Sequence, residues 1–455
     1  MTLTKRSVKT DSLTKSTGIS VHTFRAEQNK KLRADVESVL SCQKWIKSQT
    51  NQCLDLNRVL VVLAAGSGAE RYLPRTIPKI IAQIAEAGAK ADVMIGLNHG
   101  FDCPQVIAGF NQISDVEIID LYTEAKVSNQ LPAKVCADAS AQGEPYYIQS
   151  NPSLALKHRI FVIHQKISPY SAGKIRILGD IYGSLFINSI AQGWHLPALL
   201  VTIDAESQFL LDQPGLSPNL DSNGLQPILE QLNHHPDLDI LGATPRHTVY
   251  QPFEQDGLQI FLPDFSQDVP PIPWFLNIVH GYYPGYQLKP GGGTVGRSDV
   301  VISLLTVISE RYPGARLEDI QLTILAEHAG FKHELCLDVI QTNRVPDQYE
   351  TVPDDRSKLA WLEQMTRWMS GIEALKLNYG QHNIESIVAD TFPWAILLNP
   401  RLFVQSLRNK QPLNLITLFK VARMLMSSFL HLYLLKTKAA SHPDTLQGYE
   451  AKATW

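Results

Sequence analysis

A surplus of either charge is missing from this sequence. Its 41 Lys and Arg stand against 44 Asp and Glu, a formal net charge of −3 over 455 residues, so no basic surplus argues for a nucleic-acid partner. Paired cysteine is missing too. Cys42, Cys53, Cys103, Cys136 and Cys336 are odd in number, scattered and without C-x-x-C spacing, which argues against a disulfide framework or a zinc site and fits a reducing, cytoplasmic setting. No run of about 18 to 20 uncharged apolar residues occurs, so no membrane-spanning helix is expected. Residues 1–23, rich in Ser, Thr and Lys and without an apolar block, read as a disordered leader and not as a secretory signal.

What is present is organised around Ala198-Leu-Leu-Val-Thr-Ile-Asp-Ala-Glu-Ser-Gln-Phe209. An apolar, β-branched run long enough for one buried strand ends in Asp204 and Glu206, one residue apart. Such a strand delivers both carboxylates to its C-terminal edge, where open α/β sheets bind ligands. Side by side they repel, unless a cation or hydrogen-bond donors lie between them. A hard divalent ion holding a diphosphate satisfies both, and a simple turn with a solvated Glu206 is the other reading.

Upstream, Phe24 to Ser48 carries apolar residues at helical spacing, an amphipathic helix or helix pair within an N-terminal extension over residues 24–57. Arg58-Val-Leu-Val-Val-Leu-Ala-Ala-Gly-Ser-Gly68 is a strand that breaks into small residues before a helix from Leu73 to Ala87. Ala64, Ala65 and Gly66 there let backbone N–H groups approach a phosphate or base closely, or serve packing alone. Ala91 to Leu97, Val116 to Leu121 and Arg159 to His164 read as further strands, and Ile175 to Gln192 as a long helix. Alternation of this kind predicts a mostly parallel sheet with helices on both faces.

Further along come a helix from Leu225 to Asn233, a short strand over residues 239–245, and an aromatic, proline-rich segment over 252–290 containing Trp274 and Tyr286. These aromatics form an acceptor platform or fill an irregular core. Gly291-Gly-Gly-Thr-Val-Gly-Arg-Ser298 marks unusual backbone or close approach at Gly292 and Gly293, before a helix to Arg311. Glu318 and Asp319 open a helix that ends at Gly330. Gln364, Arg367 and Trp368 share one helical face. His280 and His333 are structural or extra metal ligands, and Arg297 meets a phosphate or pairs locally. Leu413 to Leu435, broken by Lys420, Arg423 and His431, fits a packed helix or an interfacial one in weak contact with a membrane surface. Thr437 to Trp455 reads as a disordered tail.

In this order, the D-x-E after a strand, the Gly-Gly-Gly loop, the Glu-Asp helix start and the Q-x-x-R-W segment resemble the inverting GT-A glycosyltransferases related to cellulose, chitin and hyaluronan synthases, over residues 58 to 370. The resemblance implies a doubly wound, mostly parallel α/β catalytic domain over residues 58–345 and a C-terminal helical region over 346–436. It implies transfer of one sugar, in the cytoplasm, from a nucleotide-sugar donor, most often a UDP-sugar, to a small-molecule or saccharide acceptor, with Mg²⁺ or Mn²⁺. Asp204 and Glu206 match the metal and diphosphate position, and Asp319, beside Glu318, matches the general base. Gln364, Arg367 and Trp368 match the motif beside the pyrophosphate and acceptor. Lys174, in Ala-Gly-Lys, matches a lysine near the donor. Asn98 stands where the family carries a base-binding acidic residue. Leu63-Ala-Ala-Gly-Ser-Gly68 with Arg71 and Pro78-Lys79 is also similar to sugar-phosphate nucleotidyltransferases, in which those groups bind a triphosphate. A nucleotide-sugar-binding protein without turnover is the third reading.

Overall fold

In this computed structural model the residues described are 21–50, 54–98, 101–120, 148, 157–164, 174–212, 217–255, 258–266, 293–312, 315, 317–344, 371, 374–380, 383 and 426. Ten strands form a mixed, mostly parallel sheet. They are β1 (Asp55–Ala65), β2 (Lys90–Leu97), β3 (Val116–Asp120), β4 (His158–His164), β5 (Pro197–Ile203), β6 (Phe209–Leu211), β7 (Ile240–Gln255), β8 (Leu258–Asp264), β9 (Gly293–Arg297) and β10 (His333–Arg344). The order across the sheet is β3-β4-β2-β1-β5-β9-β7-β10-β6, with β8 hydrogen-bonded to the outer half of β7.

The five strands from β3 to β5 run parallel, and β9 is inserted antiparallel between β5 and β7. From β1 the chain passes to β2 and on to the edge strand β3, returns to β4 between them, then crosses to β5 on the other side of β1. The connection therefore reverses between β1 and β5, the position at which open α/β sheets form a ligand crevice at their carboxyl ends.

Alternation along β1 divides the core into two layers. Leu60 and Val62 face the helices Val21–Thr50, Ser298–Arg311 and Glu318–Ala329 and the helical segment 174–191, whereas Val59, Val61 and Leu63 face Leu73–Glu86 and Leu225–His234. A strand buried on both faces needs apolar residues at every position, which is why β1 reads as a continuous apolar run. Gly96 in β2 sits beneath the 174–191 segment, and a β-carbon there would lie 2.5 Å from Ile177 Cγ1. Here glycine serves strand-to-helix packing.

Three expectations differ from the structure. The short strand over 239–245 is a sixteen-residue β7 that runs through Pro245 and Pro252 to a hairpin with β8. The glycine-rich run continues into a strand, β9, whose Gly293 pairs with Ile203. Strand β10 closes this side of the sheet against β7 and β6, in a region to which the sequence reading assigned no element.

Candidate active site

Strand β5 ends at Ile203, so Asp204 and Glu206 fall on the turn immediately beyond the carboxyl edge. The backbone of this turn is tied at successive peptides. Ser207 N–H donates to the Asp204 carbonyl at 3.0 Å, Thr76 Oγ1 to the Ala205 carbonyl at 2.7 Å, and Tyr250 Oη to the Glu206 carbonyl at 2.6 Å. Beyond it, Gln208 and Thr342 exchange two bonds of 2.9 Å, Gln208 N–H to Thr342 Oγ1 and Thr342 N–H to the Gln208 carbonyl.

Lys174 begins the helical segment that leads into β5, and Glu318 and Asp319 begin the helix Glu318–Ala329. The two helix starts meet at the carboxylate turn. Lys174 Nζ lies 2.5 Å from Asp204 Oδ1 and 2.8 Å from Glu318 Oε1. Burial alone would depress the Lys174 ammonium, but the charges of Asp204 and Glu318 hold it well above the ordinary lysine range. Asp319, half-buried beside Glu318, accepts the Ile320 N–H at 2.8 Å. Burial, then the Glu318 charge, with a smaller contribution from Asp204, pushes its carboxyl up to about 7 against the pull of Lys174. Burial and the Asp204 charge likewise push Glu206 up to about 7, opposed by Arg344 and Lys174. Sequence positions 174, 204, 206, 318 and 319 thus form one electrostatically coupled group.

Two of these carboxylates suit a hard divalent cation by the chemistry of their donors. Asp204 and Glu206 offer oxygen only, stand close enough that the Asp204 charge disfavours that of Glu206, and lie on a turn tied by several hydrogen bonds. Among the described residues no cluster of three or more His, Cys, Asp and Glu is placed to hold a metal by itself. A site of this kind depends on phosphate oxygens and water for its remaining positions, which is the usual coordination of Mg²⁺ at nucleotides.

The small-residue loop after β1 lies at the same edge, with the Asn98 N–H donating to the Ala65 carbonyl at 2.8 Å. Ala64 and Ala65 end the strand and Gly66 begins the loop. Gly68 adopts a left-handed backbone, φ 94°, and its N–H donates to Glu70 Oε2 at 2.8 Å. Lys79 points elsewhere: its ammonium donates to the Leu220 carbonyl, and burial with nearby Arg75 lowers it to about 8. Arg71 stacks on Phe261, 5.4 Å from the ring centroid. The loop, Arg71 and Lys79 therefore do not converge as a triphosphate cradle, and nucleotidyl transfer is not favoured.

Gly293 lies against Gln341 and Phe209, each 3.0 Å from where a β-carbon would stand. Arg297 donates to the Leu232 carbonyl at 2.8 Å and the His235 carbonyl at 3.3 Å, closing the end of the helix Leu225–His234. His333 opens β10 at the amino edge of the sheet and pairs with Glu327 at 3.1 Å, away from the carboxylate turn. Gly292, Gln364, Arg367, Trp368, His280, Trp274, Tyr286 and the Leu413 to Leu435 segment, except Met426, lie outside the described residues.

Sequence reading missed the wall supplied by β7 and β10. Tyr250 bonds the Glu206 carbonyl and Thr342 bonds Tyr250, the Arg344 charge acts on Glu206, Tyr250 stands edge-on to Tyr72 at 5.7 Å and 90°, and Arg344 covers the Tyr72 ring at 5.5 Å. An arginine closing a strand, Gln341-Thr-Asn-Arg344, was the available signal. The β10 segment resisted assignment because four consecutive residues, Val339 to Thr342, are buried while Leu337 is exposed, and its register against β7 shifts between Cys336 and Ile340.

No family model matches the chain, and no curated protein matches its sequence. Among solved structures, the chain is similar to the mannosyltransferase PcManGT from Pyrobaculum calidifontis in complex with GDP-Man and Mn²⁺, at 12% identity and TM-score 0.37, over 90% of this chain and 99% of that one. It is similar also to a mycobacterial protein, at 12% identity and TM-score 0.27, over 71% of this chain and 77% of that one. Likeness this distant identifies neither a substrate nor a mechanism.

Proposed function

We propose that this chain is a metal-dependent, inverting glycosyltransferase that moves one hexosyl group from a nucleotide-sugar, a UDP-sugar by the sequence resemblance, to an acceptor hydroxyl. The observation that carries the reading is the meeting of Asp204, Glu206, Lys174, Glu318 and Asp319 at the carboxyl edge of β5, beside the β1 loop.

Each residue has a task that its surroundings suit. Asp204 and Glu206 bind Mg²⁺ or Mn²⁺, which when bound offsets charge on the departing nucleoside diphosphate. Lys174, bonded to Asp204 and Glu318, adds a positive charge at the same place. Asp319, with its carboxyl near neutral pKa, takes the acceptor proton as the acceptor oxygen bonds to the anomeric carbon and the bond from that carbon to the diphosphate oxygen breaks. One displacement inverts the anomeric centre. Glu318 neutralises Lys174 and, by its charge, keeps Asp319 basic enough to work near pH 7.

Turnover tests this directly. The full chain incubated with Mn²⁺ and a panel of nucleotide sugars is expected to release nucleoside diphosphate, and Asp204→Asn is expected to abolish the release. Pyrophosphate formed from a nucleoside triphosphate and a sugar phosphate, with no turnover of any nucleotide sugar, would overturn the reading.

A further inference from the structure

We infer that Tyr250 is a positioning residue for the carboxylate turn, acting through a directed chain of hydrogen bonds that ends on the Glu206 peptide; the inference rests on the sugar-transfer reading. Direction follows from donor and acceptor chemistry. A carbonyl only accepts, so the Tyr250 hydroxyl hydrogen is committed to the Glu206 carbonyl at 2.6 Å. The Tyr250 oxygen, 2.8 Å from Thr342 Oγ1, must then accept the Thr342 hydroxyl hydrogen. Thr342 Oγ1 in turn accepts the Gln208 N–H at 2.9 Å. The chain leaves the turn at Gln208, passes through β10 and β7, and returns to the turn at Glu206.

Its setting is rigid. Tyr250 is 3% exposed and Thr342 fully buried, and the Tyr250 ring is held edge-on by Tyr72. The loop closes around the Glu206 carbonyl, Ser207 and the Gln208 N–H, and Ser207 N–H in turn ties the Asp204 carbonyl to it. Displacement of the Glu206 main chain, which would carry its side chain with it, is therefore opposed by a buried bond. Two carboxyl groups are kept on one fixed turn before any cation arrives, and the ordering is not left to the moment of binding.

The test measures Mn²⁺ affinity of the full chain without nucleotide, by electron paramagnetic resonance of free Mn²⁺. Tyr250→Phe keeps the ring and deletes the donor, and is expected to weaken binding about tenfold, the lower end of what loss of a ligand's hydrogen-bond support brings. Thr342→Val is expected to weaken it similarly, the double variant no further than either single one, and Thr342→Ser, which keeps the hydroxyl, to bind as wild type. Phe261→Leu, which loosens the same aromatic cluster, is expected to stay within about twofold, below the range for lost support of a ligand. Wild-type affinity in Tyr250→Phe, additive losses in the double variant, or an equal loss in Phe261→Leu would each overturn the inference while wild-type turnover of a nucleotide sugar leaves the reading intact. A wild-type chain that turns over a donor yet binds no Mn²⁺ without nucleotide would overturn the inference alone, and one that does neither would overturn both.

Discussion

Asp319 keeps its proton to about 7 because burial and the charges of Glu318 and Asp204 disfavour the ionised form. A base must be ionised to accept a proton, so kcat/KM is expected to rise with pH through about 7 and level off above it. Stability runs the other way. The unfolded chain releases this proton near ~4, so across the interval up to the raised value the native state holds more protons and loses stability as pH rises. Asp319→Asn, uncharged at any pH, is expected to cut transfer by about 10²- to 10⁴-fold. Its Tm at about pH 8 is expected to equal or exceed that of wild type. Thermal scans at low and high pH beside turnover check both, and a fall in Tm of equal size at both pH values would assign Asp319 a structural task.

Lys174 is the counterpart of these carboxylates. Lys174→Met leaves Asp204 and Glu318 facing one another without a cation, and because both carboxylates are partly exposed the loss is smaller than for a fully buried pair. The variant is expected to lose Tm more at high pH than at low, and to gain more from added Mn²⁺ than wild type does. A thermal-shift titration with Mn²⁺ measures the difference, and equal gains would contradict it.

Among the elements, the three strands β1, β2 and β4 are pinned at the edge opposite the site. Asp92, fully buried, accepts Arg58 Nε at 3.0 Å and Arg159 Nε at 2.7 Å, and Arg58 Nη2 also donates to the Lys157 carbonyl at 2.7 Å. Asp92→Asn leaves two buried guanidinium groups without their counter-ion and is expected to cost about 3–5 kcal/mol in urea unfolding. A loss below about 1 kcal/mol, the range of exposed pairs, would contradict that.

Legibility from sequence also divides by element. Strands buried on both faces, such as β1 and β5, announce themselves as apolar runs, and the helix Glu318–Ala329 shows both its acidic start and its Gly330 end, φ 78°. Tertiary pairing was not visible. Asp92, Arg58 and Arg159 look like ordinary strand-end charges, β7 is hidden by its two prolines, and β10 by a bulge that breaks its alternation. At the site, the residues with distinctive local pattern, Asp204, Glu206, Glu318 and Asp319, could be named. Tyr250 and Thr342, which act through bonds between strands 92 residues apart in sequence, carry no local signature.

Over the whole molecule, the N-terminal helix Val21–Thr50 ties together distant parts of the chain. Asp35, 1% exposed, accepts from Arg311, from Tyr312 Oη at 2.5 Å and from Tyr379 Oη at 3.0 Å, and Gln28 Nε2 donates to the Lys376 and Leu377 carbonyls at 3.0 Å. Asp35→Ala removes the common acceptor of three donors and is expected to cost on the order of 3 kcal/mol, with KM for the donor unchanged, since none of these groups reaches the carboxylate turn. Denaturant unfolding beside steady-state kinetics separates the two effects.

Anomalous diffraction from a crystal of the full chain holding Mn²⁺ and a nucleoside diphosphate decides whether the carboxylate turn is the donor site. A single manganese peak bonded to Asp204 and Glu206 is expected, with the diphosphate on it and the Asp319 carboxylate facing the same crevice. Manganese and diphosphate bound away from the β5 turn would refute sugar transfer at this edge of the sheet.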